Sequence, residues 1–149
     1  MEELQIPTRR ITAAVFTSDG QRLHGSLFLT DSPYHKGGPE DLIELLNDER
    51  TFIPFKCEEP EPSNLILSKA HIVRVHVECE EEPAFQDENN CTLSLADGSR
   101  LDGRIPLDTP LASSRLVDKL NLATRFMTLV TDGGLDFVQR AQIVRVGQG

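Results

Sequence analysis

The chain contains the segment Asp19-Gly20-Gln21-Arg22-Leu23-His24-Gly25-Ser26-Leu27-Phe28-Leu29 and, further on, the related segment Asp97-Gly98-Ser99-Arg100-Leu101-Asp102-Gly103-Arg104-Ile105-Pro106-Leu107. In both, an Asp-Gly pair separates two runs in which apolar and polar residues alternate, which is a strong signal for a β-hairpin. Both also place a glycine, Gly25 or Gly103, where the alternation would put an inward side chain. This placement predicts a sharp bend or a close approach of two backbones. The sequence therefore predicts the same curved hairpin twice.

Further matches follow each hairpin in the same order. They pair residues 42–47 with 116–121, Phe52 with Phe126, and residues 70–75 with 141–146. The extra residues of the first copy fall between the matched segments and not inside them, which is how a duplicated fold diverges. We therefore predict two tandem modules, residues 1–80 and 91–149, joined by an acidic linker at residues 81–90.

The local patterns predict a β-β-α-β-β unit in each module. Apolar residues at helical spacing follow Pro39 in the first copy and Ser114 in the second, and two further strands complete each unit. The last strand is expected to break near Ala70 and near Ala141. The predicted fold class is α+β and β-rich, with two small bent sheets or partial barrels packed as a pseudo-twofold pair.

Apolar residues that recur in both copies predict the core. The positions expected to be buried are Leu23, Leu27, Leu46, Phe52 and Ile72, together with their equivalents Leu101, Ile105, Leu120, Phe126 and Ile143.

Composition narrows the classes of partner and location. Acidic residues outnumber basic ones by 24 to 15, for a net charge of −9, which disfavours nucleic acid and anionic membranes as partners. No apolar stretch approaches the roughly 20 residues of a membrane-spanning helix, and residues 1–5 lack the layout of a secretion signal. Cys57, Cys79 and Cys91 are odd in number without CxxC spacing, so we expect free thiols. These features predict a cytoplasmic protein.

The strand pattern resembles that of Sm-like barrels. Residues 91–105, 126–129 and 137–146 carry the resemblance through their strand order and glycine placement, and it covers most of each copy except the helix. The resemblance implies a small barrel with a helix inserted after the second strand, and it implies RNA or nucleotide binding as one function.

The family's site residues transfer only in part. Asp31 matches the aspartate that ends the first Sm motif, but its counterpart in the second copy is Thr109. Pro33 and Leu111 stand where the family has a base-contacting polar residue. The family's Lys-His pair is approximated only by the pairs Lys69 with His71 and Arg140 with Gln142. A ribonucleotide site of this kind would lack most of its parts.

No residue pattern indicates catalysis or metal binding. His71 and His76 lie on a predicted strand at a spacing that sends them to opposite faces, and Asp19 and Asp97 belong to turns that select Asp for its local hydrogen bonds. The chain has no GxSxG, HExxH or phosphate-binding glycine loop. We therefore predict no catalytic residue, no metal site, no cofactor and no enzyme activity, and the ligand-binding residues stay unspecified.

The recurrent pair Arg74 and Arg145 has two interpretations. The first is a solvent-facing or ion-paired arginine on a surface that both modules share, and the second is a contact between the modules. We favour the first, because a repeated arginine is easily inherited without a role.

The predicted function is that of a non-enzymatic protein-interaction or scaffolding module. Small sheets leave strand edges that another chain can extend, so the expected partner is another protein or a second copy through those edges. The alternative is an Sm-like RNA or nucleotide binding protein.

Overall fold

A computed structural model describes residues 9–29, 38–79, 87–107, 116–121 and 124–148. Within these ranges the protein is β-rich, with ten strands and two helices. The elements are β1 (Arg9–Thr17), β2 (Arg22–Leu29), α1 (Pro39–Asn47), β3 (Phe52–Glu59), β4 (Ser63–Ser68), a 3-10 turn (Lys69–His71), β5 (Ile72–Glu78), β6 (Asp87–Leu95), β7 (Arg100–Leu107), α2 (Leu116–Leu120), β8 (Phe126–Thr131), β9 (Gly134–Gln139), a 3-10 turn (Arg140–Gln142) and β10 (Ile143–Gln148). Neither described helix has the length and apolar character needed to span a bilayer.

All ten strands belong to one open antiparallel sheet. Their order is β10-β6-β7-β8-β9-β5-β1-β2-β3-β4. The predicted packing of two sheets as a pseudo-twofold pair is therefore wrong, because a twofold axis would join the same strand of each half. Instead β5 pairs with β9 in a continuous ladder from Arg74↔Val138 to Glu78↔Gly134. This ladder satisfies backbone groups that face-to-face packing of two sheets would leave open.

The strands of the first half (β1 to β5 with α1) and of the second half (β6 to β10 with α2) follow the same order. In the first half the order is β5-β1-β2-β3-β4, and in the second it is β10-β6-β7-β8-β9. The registers correspond as well: Phe52 faces Ser68 in the β3–β4 pair, and Phe126 faces Gln139 in the β8–β9 pair. The expected breaks near Ala70 and Ala141 are confirmed as the two 3-10 turns. β6 begins at Asp87, inside the segment 81–90 that we predicted as linker.

The glycines of the two hairpins have the predicted roles. Gly20 and Gly98 adopt φ angles of 89° and 90°, the left-handed region that an Asp-Gly turn requires. A Cβ atom at Gly25 would overlap the carbonyl oxygen of Lys56 in β3, and one at Gly103 would overlap that of Val130 in β8. The missing side chains therefore let the neighbouring strand approach closely in both halves.

The apolar core crosses from one half to the other. The larger cluster combines residues of β1 to β5 and α1 with Phe126, Val130, Leu135 and Phe137 of the second half. The smaller cluster, built on β6 to β9 and α2, includes Val73 of the first half. β8 and β9 consequently have apolar residues buried on both faces.

The core prediction is confirmed at five positions and wrong at one. The buried residues are Leu27, Leu46, Ile72, Ile105 and Phe126. Four others are partly buried against the clusters: Leu23, Leu101, Leu120 and Ile143. Phe52 is exposed, although its counterpart Phe126 is buried. Phe126 packs in the larger cluster beside α1, whereas Phe52 belongs to neither cluster of described residues.

Candidate functional site

A buried carboxylate lies at the junction between β5 and β9. Asp136 of β9 is 2% exposed, and its Oδ1 accepts a hydrogen bond of 2.6 Å from Nη1 of Arg74. Its Oδ2 accepts a bond of 2.8 Å from Thr131 and lies 3.0 Å from Nδ1 of His76. The guanidinium of Arg74 also stacks 3.7 Å from the ring centre of Phe16. Charge-assisted bonds of this kind offset the cost of burying a carboxylate.

These contacts decide between the two interpretations of the recurrent arginines. Arg74 belongs to the first half and Asp136 to the second, so Arg74 joins the two halves. Arg145 is exposed on β10. The inter-module contact that we ranked second is therefore what the structure shows for Arg74.

Two side-chain amides complete the junction. Nε2 of Gln139 donates to the carbonyl oxygens of Lys69, Ala70 and Ile72 at 3.2, 3.3 and 2.6 Å. Asn47, at the end of α1, donates from Nδ2 to the carbonyl of Phe126 at 3.1 Å and accepts from the amide of Phe126 at 2.7 Å. Asn47 thus bonds to β8 as a strand residue would. The polar groups of the junction satisfy one another and hold the halves in one sheet.

Each helix end is held by a cation from the following 3-10 turn. Lys69 is fully buried, and its Nζ donates to the carbonyl of Leu45 and to Oδ1 of Asp48, both at 2.5 Å. Partial burial raises the pKa of Asp48, but the hydrogen bonds from Arg50 and Lys69 outweigh it and hold the pKa at about 2. In the second half Arg140 donates to the carbonyls of Leu120 and Thr124 at 2.8 and 2.6 Å.

The predicted candidate residues do not converge on a reactive site. Nδ1 of His71 lies 2.9 Å from the hydroxyl of Ser18, whereas His76 contacts Asp136. Asp97 accepts bonds from the hydroxyl and backbone amide of Ser99, which lower its pKa, and a bond from Thr17 lowers the pKa of Asp19. Within the described ranges no three side chains are arranged to hold a metal ion.

The residues implied by the Sm-like resemblance are only partly described. Asp31, Pro33, Thr109 and Leu111 lie outside the described residues. Lys69 is buried under the end of α1, where a nucleotide could not reach it. Cys57, Cys79 and Cys91 form no disulfide bond, and burial, with a smaller effect from Asp102, raises the pKa of the Cys91 thiol.

A groove of about 510 Å³ runs between α1 and β8. Its walls are mostly apolar and include Ile43, Phe126 and Phe137. The charged side chains that line it are Glu40 and Lys119. No nucleophile with an adjacent base is present among these lining residues.

The sheet ends in two edges that are free in the described chain. β4 pairs only with β3, and β10 pairs only with β6. No residue of β4 carries a charge, and its Ile66 is exposed; β10 carries one charge, at Arg145, and its Val144 is exposed. Sheet edges are normally protected by charged residues, proline or bulges, because open ladders recruit other strands. We refer to these surfaces as the β4 edge and the β10 edge.

Sequence reasoning predicted that edges would matter but not which strands would form them. One signal was present, since the run Ser63–Ser68 lacks charge in a chain where 26% of residues are charged.

The chain matches no protein-family model, no curated protein and no solved structure.

Proposed function

We propose that this protein is a non-enzymatic protein-interaction module whose β4 and β10 edges each accept a strand of another chain. The observation that carries the proposal is that each edge strand has a side on which no described strand pairs and also has an exposed apolar side chain. These side chains are Ile66 on β4 and Val144 on β10. Backbone hydrogen bonds supply affinity in strand addition, and apolar side chains at alternate positions supply specificity.

The proposal includes the predicted architecture of two tandem β-β-α-β-β units, each an Sm-like partial barrel. Matching registers support it beyond the sequence matches. Arg9 faces Leu29 and Asp87 faces Leu107, the equivalent pair. The bulge between Phe16 and Thr17 opposite β5 has a counterpart where β10 faces β6, at Ile143 and Arg145. Duplication of one unit accounts for these coincidences together.

The disposition of the titratable groups supports a binding role over an enzymatic one. Asp136 pairs with Arg74 at the junction, and Lys69 binds the end of α1. Asp97 accepts a hydrogen bond within its own turn. The proposed setting is the cytoplasm, because three cysteines without a disulfide bond are compatible with a reducing compartment.

Site-specific photo-crosslinking in cells tests the proposal. A photoreactive amino acid is placed at Ile66, at Val144 and, as a control, at Thr12, which is exposed on the interior strand β1. We expect protein adducts at Ile66 and Val144 and none at Thr12. Equal labelling at all three positions, or no adduct at any, would contradict edge binding.

The Sm-like alternative makes a different prediction. A gel-shift assay with RNA at low salt would show strong, salt-sensitive binding if the chain bound RNA through phosphate contacts. We expect no such binding, because the net charge is −9 and Lys69 is buried. Robust RNA binding would reverse the order of the two functions.

A further inference from the structure

Among the described residues, the large apolar side chains that remain exposed share one property. They are Phe52, Ile66, Val117 and Val144, at 59%, 75%, 52% and 59% exposure. By the sequence matches, their counterparts in the other half are Phe126, Phe137, Ile43 and Val73. Three of these counterparts are at most 1% exposed, and Ile43 is partly buried against the larger cluster. Every counterpart therefore lies where the two halves meet or packs on the core that they share.

The exposed four divide between two surfaces. Phe52 and Ile66 lie on β3 and β4, next to the β4 edge, whereas Val117 and Val144 lie on α2 and β10. The internal junction is built from the same two kinds of surface. It joins β8 and β9 of one half to α1 and β5 of the other. The β4 edge and the β10 edge thus correspond in position to the two sides of the internal junction.

We infer that copies of this chain associate head to tail, with the β4 edge of one copy paired to the β10 edge of the next. The inference rests on the proposed edge binding and names its partner as a second copy. Transferring the internal register, in which Val75 faces Phe137, places Val146 opposite Ile66 of the neighbouring chain. Arg145 then faces Leu67, as Arg74 faces Val138 inside the chain.

The helix contact transfers in the same way. Inside the chain, Asn47 at the end of α1 bonds to both backbone groups of Phe126. The equivalent of Asn47 is Asn121, which is exposed, and the equivalent of Phe126 is Phe52. In the assembly Asn121 bonds to the backbone of Phe52 in the next copy, and Val117 covers the Phe52 ring.

The contact between chains differs from the internal junction in its charges. Leu65 takes the place of Asp136, Gly147 that of His76, and Ser68 that of Gln139. No buried ion pair forms, so apolar contact and the strand ladder supply the affinity. We therefore expect association that does not weaken as salt rises, in contrast to contacts between opposite charges.

The joined edges are different surfaces, so the contact is heterologous. Each added chain leaves one β4 edge and one β10 edge open, and growth stops only when a ring closes. An isologous dimer, in which two β4 edges meet, would instead stop at two chains and leave both β10 edges free. Edge-blocking variants separate these cases.

The test uses the full-length chain with one edge blocked at a time. Ile66→Lys places a charge on the β4 edge and Val144→Lys places one on the β10 edge, whereas Thr12→Lys adds the same charge on an interior strand. Mass is followed by sedimentation over a range of concentrations, against 16.6 kDa for one chain. We expect wild type and Thr12→Lys to assemble, and each edge variant to require at least about tenfold higher concentration.

Mixing the two edge variants gives the decisive result. The Ile66→Lys chain keeps a working β10 edge and the Val144→Lys chain keeps a working β4 edge, so the mixture forms a one-to-one dimer and nothing larger. Wild type that stays monomeric up to about millimolar concentration overturns the inference. So does a Val144→Lys chain that assembles like wild type. If the purified chain is monomeric while Ile66 still crosslinks to a different protein in cells, edge binding stands and self-association fails.

Discussion

β9 and β4 hold the same place in the strand order of their halves, yet their surroundings differ. All six residues of β9 are buried, from Gly134 to Gln139, because β8 and β5 flank it and core residues cover both faces. β4 has one buried residue, Leu67, and nothing described lies beyond it. The burial of a strand therefore depends on whether other strands flank it in the sheet, and not on the strand alone. The predictions below test that difference.

Separating the halves should have the largest effect. Without the first half, Phe126, Leu135 and Phe137 lose the cluster that covers them. We expect residues 87–149 expressed alone to show no cooperative unfolding transition, and addition of residues 1–80 to restore one. Circular dichroism in urea measures this. Two fragments that each unfold cooperatively and ignore each other when mixed would show that the junction contributes little.

The next largest effect is expected when equivalent residues of β9 and β4 are each truncated to alanine. Phe137→Ala opens a cavity at the junction and should lower the free energy of unfolding by about 3–5 kcal/mol. Ile66→Ala, in dilute protein where the edge is open, should change it by less than about 0.5 kcal/mol. Urea denaturation of both variants gives the comparison, and similar losses would mean that β4 is covered in the isolated chain.

The buried charge of the junction should have an intermediate effect. Asp136→Asn removes the charge that Arg74 faces and disturbs the bonds from Thr131 and His76. We expect a loss of about 1–3 kcal/mol in the free energy of unfolding. Asp102→Asn, which changes an exposed carboxylate, is the matched control. An equal effect of the two substitutions would show that the Asp136 charge does not stabilise the junction between the halves.

The two helix ends should differ in their response to pH. The pKa of Asp48 falls from 3.8 to about 2 on folding, so its contribution to stability is present above about pH 4 and is lost as the pH falls to about 2. Arg140 binds α2 through carbonyl oxygens, which do not titrate. Asp48→Asn should therefore flatten the acid limb of the stability curve measured by urea titration. An unchanged limb would show that the hydrogen bonds from Arg50 and Lys69 do not stabilise the Asp48 carboxylate.

The sequence predicts the elements of each half because their signals are local. Gly25 and Gly103 marked the close strand approach, and Ala70 and Ala141 marked the break in the last strand. Alternation and turn residues depend on neighbours within a few positions. The sequence carries these local signals twice.

The junction was beyond prediction because its partners are distant and are not duplicated. The match between Phe52 and Phe126 predicted that both are buried, but α1 packs across the junction on β8, where Phe126 lies, and Phe52 is exposed. Arg74 recurs as Arg145, whereas its carboxylate partner Asp136 corresponds to Leu65, so the repeat itself concealed the ion pair. The positions at which the two copies differ are therefore better indicators of the junction than the positions at which they match.

Hydrogen exchange as a function of protein concentration tests most directly the claim that the β4 and β10 edges are two sides of one unformed junction. At low concentration we expect backbone amides of β5 and β9 to be protected, and outward-facing amides of β4 and β10 to exchange rapidly. As concentration rises, both edges should become protected together, with the same midpoint. Protection of β4 and β10 that stays constant with concentration, or that appears on only one of them, would contradict the account.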